Sequence, residues 1–357
     1  RYRDEMKKEI PELDAVVGIG SNGKICDIIR EILLDKQAVC SYGAKTELSM
    51  EGGRIISTEP FYAYIKIAEG CSNNCTYCAI PSIRGKYRSR RMEDIVKEAR
   101  WLAENGVTEL VVVAQDTTRY GEDIYGKSML PELLTALCEI DGFKWIRTLY
   151  CYPERITDEL LDVIAKEDKL VKYLDMPIQH CNKTILKRMN RHGDRETLTA
   201  LIKKIREKIP NVTLRTTLIT GFPGETKEQF EELCEFVKEI RFERLGCFAY
   251  SPEEGTPAEK FEDQVPLKDR ERRAEIIMEE QMIISDSLNE AALDSEVEVV
   301  CEGFDRYAEC YYGRSQADAP EIDGKIFFLS EDKVRVGEYV KVKIDDTMDY
   351  DLIGSKM

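Results

Sequence analysis

The 357-residue chain has no long apolar run; even the stretch 110–114 (LVVVA) stops after five residues, far short of the roughly 18 a membrane-spanning helix needs. Residues 1–10 carry neither the apolar stretch nor the small-residue cleavage site of a secretory signal. Histidine is nearly absent: His180 and His192 are the only two, so zinc is poorly supplied. An excess of positive charge is also missing, because 52 basic residues stand against 68 acidic ones for a net charge of −16. That balance disfavours a surface built chiefly to hold nucleic-acid phosphates. No internal repeat or low-complexity tract stands out. The first residue is Arg1 rather than Met, and the reading expects a fragment.

Twelve cysteines are present. Without an export signal they argue against a disulfide framework and for reduced, metal-binding thiols in the cytoplasm. With 43% apolar and 34% charged residues the chain can bury a large core, and its length allows two or three domains at roughly 150 residues each.

Between residues 61 and 251, strand-like runs near 62–68, 109–115, 145–150, 171–176, 212–220 and 244–250 alternate with amphipathic stretches such as 92–105 and 227–240. This pattern predicts an α/β fold, a partial (β/α)6 barrel whose chemistry sits on loops after the strands. A charged stretch, 267–293, reads as a connecting helix. The β-branched runs 296–301, 325–329 and 339–344 predict a small antiparallel β-barrel of about 60 residues. Residues 294–357 hold 16 acidic and 8 basic side chains, a balance of −8, so under a fifth of the chain carries half of the net charge. The expected divisions are 1–59, 60–265, 266–293 and 294–357, the first too small to be a complete domain.

Directly after the first strand, residues 69–78 (EGCSNNCTYC) place Cys71, Cys75 and Cys78 in one loop. Thiolates are the usual ligands of iron–sulfur clusters, and this spacing lets one loop wrap one cluster. There is no fourth cysteine nearby, so one iron of a cubane would stay open to bind a small molecule, as catalytic zinc sites keep an open position. A zinc site completed by a distant Cys or His, or unliganded buried thiols, are the bland alternatives. The remaining nine cysteines read as small buried hydrophobes, and Cys26 and Cys40 have no metal-like spacing.

The Cys-x3-Cys-x2-Cys loop, with the aromatic Tyr77 before its last cysteine, resembles that of radical S-adenosylmethionine (SAM) enzymes. The resemblance implies that Cys71, Cys75 and Cys78 hold a 4Fe-4S cluster whose open iron is chelated by SAM, and that an electron from the cluster splits SAM to a 5′-deoxyadenosyl radical. The segment 217–226 (TLITGFPGET) resembles the strand-five motif that lies against SAM in that family. SAM contacts are thus implied at Tyr77, Gln115, Arg215, Ile219 and Gly221. For Arg215 the alternative is a structural ion pair. Arg84, Asp116, Thr117 and His180 are expected on the substrate side or in support, with His180 alternatively a satisfied core residue. No catalytic residue is assigned beyond the cluster. The basic run Arg84, Lys86, Arg88, Arg90 and Arg91 reads either as a collar for an anionic ligand or as a solvated loop.

Taken with the order of barrel, helix and small barrel, the chain resembles the methylthiotransferase branch of the family. The stretches 115–121 (QDTTRYG) and 317–324 (ADAPEIDG) resemble the type that modifies an aspartate of a small-subunit ribosomal protein; the tRNA-adenosine-modifying type is the close alternative. The resemblance implies two uses of SAM, one as methyl donor and one as radical source, an electron donor, and a basic ribosomal protein as partner, with neither membrane nor nucleic acid engaged directly. It also implies a second 4Fe-4S cluster on three N-terminal cysteines, and residues 1–60 resemble only the last part of that domain, without those ligands. A non-catalytic iron–sulfur redox or binding module is the rival of another class; reductive cleavage of SAM separates the two.

Overall fold

The structure is a computed structural model and describes residues 2–35, 39–57 and 59–357. Six parallel strands form its centre: β1 (Tyr62–Lys66), β2 (Glu109–Val113), β3 (Trp145–Thr148), β4 (Tyr173–Asp175), β5 (Thr213–Thr220) and β6 (Arg244–Ala249). They run β1-β2-β3 and β4-β5-β6, with one parallel bridge between Ile146 and Leu170 joining the two halves. Among the described residues β1 and β6 do not pair, so the barrel stays open.

Strand period 2 sorts the side chains. Ala63, Ile65, Leu110, Val112, Ile146, Leu174, Leu214 and Leu218 face outward and are buried against the helices. Those helices include α1 (Met92–Glu104), α2 (Leu130–Cys138), α3 (Asp158–Lys166), α4 (Arg195–Lys208) and α5 (Lys227–Ile240). Their starts are set by side-chain caps: Thr157 accepts from Leu160 N–H, Asp194 from Thr197 N–H, and Thr226 from Gln229 N–H. The helix expected across 267–293 is observed as α6 (Leu267–Glu290), which lies along β6, β5 and α5.

The C-terminal unit is a closed barrel of β7 (Glu296–Asp305), β8 (Cys310–Arg314), β9 (Ile326–Leu329), β10 (Tyr339–Met348) and β11 (Asp351–Lys356), ordered β7-β8-β9-β11-β10. Four pairings are antiparallel, but β9 and β11 run parallel. Its apolar interior holds Val299, Cys301, Ile326, Phe328, Val340, Val342 and Ile344. In the first 60 residues, Ala15–Val17 pairs in parallel with Val39–Ser41, and the intervening helix Ile25–Asp35 leaves Ile29, Leu33 and Leu34 exposed.

The inward face of the open barrel is not self-filling. Tyr62, Tyr173, Arg147 and Glu109 project into it, and the C-terminal unit supplies their partners. Arg314 places a guanidinium nitrogen 2.5 Å from Glu109, a charge contact whose angles fall short of a hydrogen bond, while its Nε donates to Glu302 at 2.6 Å. Arg147 donates to Glu109 at 3.1 Å and to the Gln316 carbonyl at 3.0 Å. The stretch 317–324 seals the rest: Tyr62 donates to Glu321, Tyr64 to the Pro320 carbonyl, Tyr173 to Asp323, and Arg244 to Asp318.

Because Glu109, Arg147 and Arg314 are essentially without solvent, removing one partner strands an uncompensated charge. Arg314→Met, which leaves Glu302 without its partner and Glu109 with Arg147 alone, should cost about 3–5 kcal/mol in chemical denaturation, and adding Glu302→Gln should recover part of it. A loss below about 1 kcal/mol, the range of exposed pairs, would show that the two units are held by something else.

Candidate active site

A short antiparallel clasp, Ala68–Glu69 with Arg88–Ser89, fixes both ends of the cysteine loop just beyond β1. Gly70 starts the loop at φ 75°, and a Cβ there would sit 2.4 Å from the Lys86 carbonyl oxygen, so only glycine fits. Cys71, Cys75 and Cys78 are all partly buried and all line one cavity of about 640 Å³ at the C-terminal ends of β1 to β4, a volume suited to a cofactor-sized ligand. The peptide N–H groups of Asn73 and Ile80 lie near Cys71 and Cys78, and the Tyr152 hydroxyl lies 2.8 Å from Cys75 Sγ, a hydrogen bond in which either atom can be the donor. Burial pushes the thiols of Cys71 and Cys78 up, against the pull of those peptide donors. Among the described residues no three His, Cys, Asp or Glu side chains converge to hold a single metal ion, which is the arrangement tetrahedral zinc would need.

Two further sequence-predicted residues reach the cavity. Gln115, just past β2, lines it with a buried Oε1 that has no hydrogen-bond partner, an acceptor that a ligand amine or hydroxyl would satisfy. Tyr77 also lines it, its ring set edge-on to Phe222 of the 217–226 segment at 6.4 Å. Thus the cysteine loop and the strand-five motif meet through an aromatic contact.

The other predicted residues are nearby but serve the frame. Asp116 is buried and accepts from Asn73 and Thr118, holding the cysteine loop to the β2 end. Thr117 donates to the Leu149 carbonyl. His180 is fully buried; its Nδ1 accepts Asn182 N–H and its Nε2 lies 3.5 Å from Glu225. Burial raises the Glu225 carboxyl, but His180, Gly221 N–H and Arg273 outweigh it and hold the group below its ordinary value. Arg215 donates to Asp175 at 2.8 Å and approaches Asp323 at 3.7 Å, outside the cysteine cavity. Ile219 packs with Tyr77 in a small apolar cluster. Gly221 has φ 68°, and a Cβ would meet Arg270 Cγ at 2.4 Å, so this glycine makes room for an arginine stem.

The basic run is largely spoken for. Arg84 lies 3.5 Å from the buried Glu69, Arg88 donates to the carbonyls of Lys45 and Thr46, and Arg90 pairs with Glu51 and Glu98. Glu69 is raised by burial, yet Lys66, Gly70 N–H and Arg84 hold it below its usual range.

Several lining residues were not singled out from sequence: Tyr64, Lys66, Tyr150, Tyr152, Gln179 and Arg191. The alternation Tyr62-Tyr64-Lys66 carries a legible signal for the first two. Tyr150 and Gln179 adopt φ of 60° and 71° at strand ends, left-handed backbone that is uncommon for non-glycine residues. Ile322, from the C-terminal stretch 317–324, also reaches the cavity wall and borders a second groove of about 540 Å³ between β6, α6 and the C-terminal barrel. That groove carries Glu243, Asp323 and Asp351 beside the exposed Phe248.

Comparison with known proteins agrees with this arrangement. Residues 65–237 match the Radical SAM superfamily and residues 295–356 the TRAM domain. The chain is 48% identical over 356 residues to "Ribosomal protein uS12 methylthiotransferase RimO" of Clostridium tetani, covering 99% of this chain and 79% of that protein. It is 50% identical over 354 residues to the protein of the same name from Clostridioides difficile, covering 99% and 80%. Coproporphyrinogen III oxidase (HemN) of Escherichia coli superposes with a TM-score of 0.45 at 21% identity, over 65% of this chain and 54% of its own. With three loop thiols lining a cavity at the mouth of an open barrel, and near-half identity to these relatives along its whole length, the chain belongs to the radical SAM methylthiotransferase family.

Proposed function

We propose that the chain acts on ribosomal protein uS12, taking a hydrogen from the β-carbon of an aspartate so that a methylthio group, its sulfur supplied by a separate sulfur donor, takes that hydrogen's place. The observation that carries this reading is the presence of Cys71, Cys75 and Cys78 on the wall of one cavity, beside the unpartnered Gln115 Oε1. These residues fit a cluster with SAM: three thiolates bind it, and the buried amide oxygen can accept from the SAM amine. When both are bound, cluster and SAM supply a radical able to take hydrogen from an unactivated carbon, and a further SAM supplies the methyl group.

The chain's own part is placement. Tyr77 and Phe222 give an aromatic wall, Lys66 and Glu69 form a 2.8 Å ion pair at the first strand's end, and Ile322 closes the cavity from the C-terminal side. The cavity wall is mostly apolar, which disfavours water beside a reactive radical. We take Arg215, Ile219, Gly221, Arg84, Asp116, Thr117 and His180 as supports of this wall, since their partners lie within the frame. We also read residues 1–59 as the tail of an auxiliary domain, 60–265 as the radical barrel, 266–293 as its connector and 294–357 as the recognition barrel. Free thiols at all twelve cysteines suit the cytoplasm. No described helix is long and apolar enough to cross a membrane.

The acidic C-terminal unit favours a basic protein over tRNA. Asp345, Asp346 and Asp349 are exposed on the C-terminal barrel. Opposite charge speeds encounter with a basic ribosomal protein and repels a phosphate backbone.

Two outcomes follow. Anaerobic reconstitution should load about four irons per chain, and replacing Cys71, Cys75 and Cys78 with Ala together should abolish both the iron and the release of 5′-deoxyadenosine; retained iron in that variant would overturn the assignment. Asp345→Lys, Asp346→Lys and Asp349→Lys combined should slow association with uS12 and flatten its salt dependence in stopped-flow experiments. Asp351 is left intact because its carboxylate accepts Lys325 N–H. Unchanged rates, or tRNA outcompeting uS12 at moderate salt, would shift the substrate to the tRNA-modifying type.

A further inference from the structure

Resting on the cluster reading above, we propose that Tyr152 and Arg191 together raise the reduction potential of a cluster bound by Cys71, Cys75 and Cys78. The sulfur of Cys75 lies 2.8 Å from a side-chain hydroxyl, Tyr152 Oη. A thiolate bound to iron can only accept, so the phenol, protonated at neutral pH with an ordinary pKa of about 10, must donate to it.

This hydroxyl is held in place from several sides. Tyr152 N–H donates to Thr118 Oγ1 at 3.2 Å, and the turn Pro153–Arg155 follows at once. The Arg191 guanidinium lies 3.9 Å from the centre of the Tyr152 ring. Arg191 in turn donates to the Pro177 carbonyl at 2.8 Å and is only 5% exposed. Its charge therefore sits behind the ring that carries the donor, screened little by salt. The groups that act most on the Arg191 charge are Tyr77, Tyr152 and Cys75, with the Glu154 carboxylate a smaller influence.

Reduction adds one negative charge to a cluster. A hydrogen bond to a ligand sulfur and a nearby cation both favour the reduced form, and these are established determinants of cluster potential. The Tyr152 contact is made by a side chain, so a substitution removes it. Tyr152 acts through Cys75 and not on substrate, which makes it a positioning residue, and the cluster potential is the property that reports it.

The test is a potentiometric titration followed by electron paramagnetic resonance on the reconstituted full chain. Tyr152→Phe should keep its iron but show a more negative midpoint than the parent, and Arg191→Met should move it the same way. Incorporating 3-fluorotyrosine at position 152, a stronger donor of nearly the same shape, should move the midpoint positive. An unchanged midpoint in an iron-replete Phe variant would overturn the proposal. Should the Phe variant lose its iron, an unchanged midpoint in the fluorotyrosine protein would overturn it equally. Failure of the cluster reading looks different: iron would persist when the three cysteines are replaced.

Discussion

An open barrel of six strands has an inward face that its own helices cannot cover, and the chain answers this with charge. Glu109, Arg147 and Arg314 meet where no water reaches, and burying such groups is tolerable only when each finds its partner. Since Arg314 and the stretch 317–324 come from the C-terminal unit, the barrel interior is complete only when that unit is docked. The same insertion brings Ile322 to the wall of the cysteine cavity. Docking and site-building are therefore one event.

The division of labour along each strand follows from this. Near the strand starts, inward residues such as Tyr62, Arg147 and Arg244 bond to the C-terminal stretch. Toward the strand ends, Lys66, Val113 and the residues just beyond, Gln115, Tyr150 and Gln179, are left facing the cavity. Asp175 stands between the two zones. Burial raises its carboxyl against the pull of Arg215, and it also accepts Tyr150 N–H at 2.9 Å, so it holds the left-handed turn that presents Tyr150.

Much of this was legible in the sequence because it is written in local patterns. Alternating runs predicted the six strands, the amphipathic stretch 227–240 predicted a helix, and the spacing of Cys71, Cys75 and Cys78 pointed to a shared loop that the structure places on one cavity. The parallel β9–β11 pair was not legible, since strand direction within a small barrel depends on which edges meet at closure. Arg191 and Ile322 escaped for a related reason: each reaches the cavity from a segment far along the chain, and no local periodicity marks them. Gly221 shows the converse, a glycine in a motif expected to face a ligand whose missing Cβ accommodates Arg270. Arg215 similarly combines a motif position with an ion pair to Asp175.

In the proposed reaction the cavity bounded by the cysteine loop directs a radical at the β-carbon of an aspartate in uS12. Hydrogen transfer reports this directly, before any sulfur is attached. With the reconstituted chain, SAM, a reductant and uS12 whose aspartates carry deuterium at the β-carbon, mass spectrometry of the 5′-deoxyadenosine should find deuterium in it. 5′-Deoxyadenosine released free of deuterium, while tRNA or another substrate donates its hydrogen instead, would contradict the account.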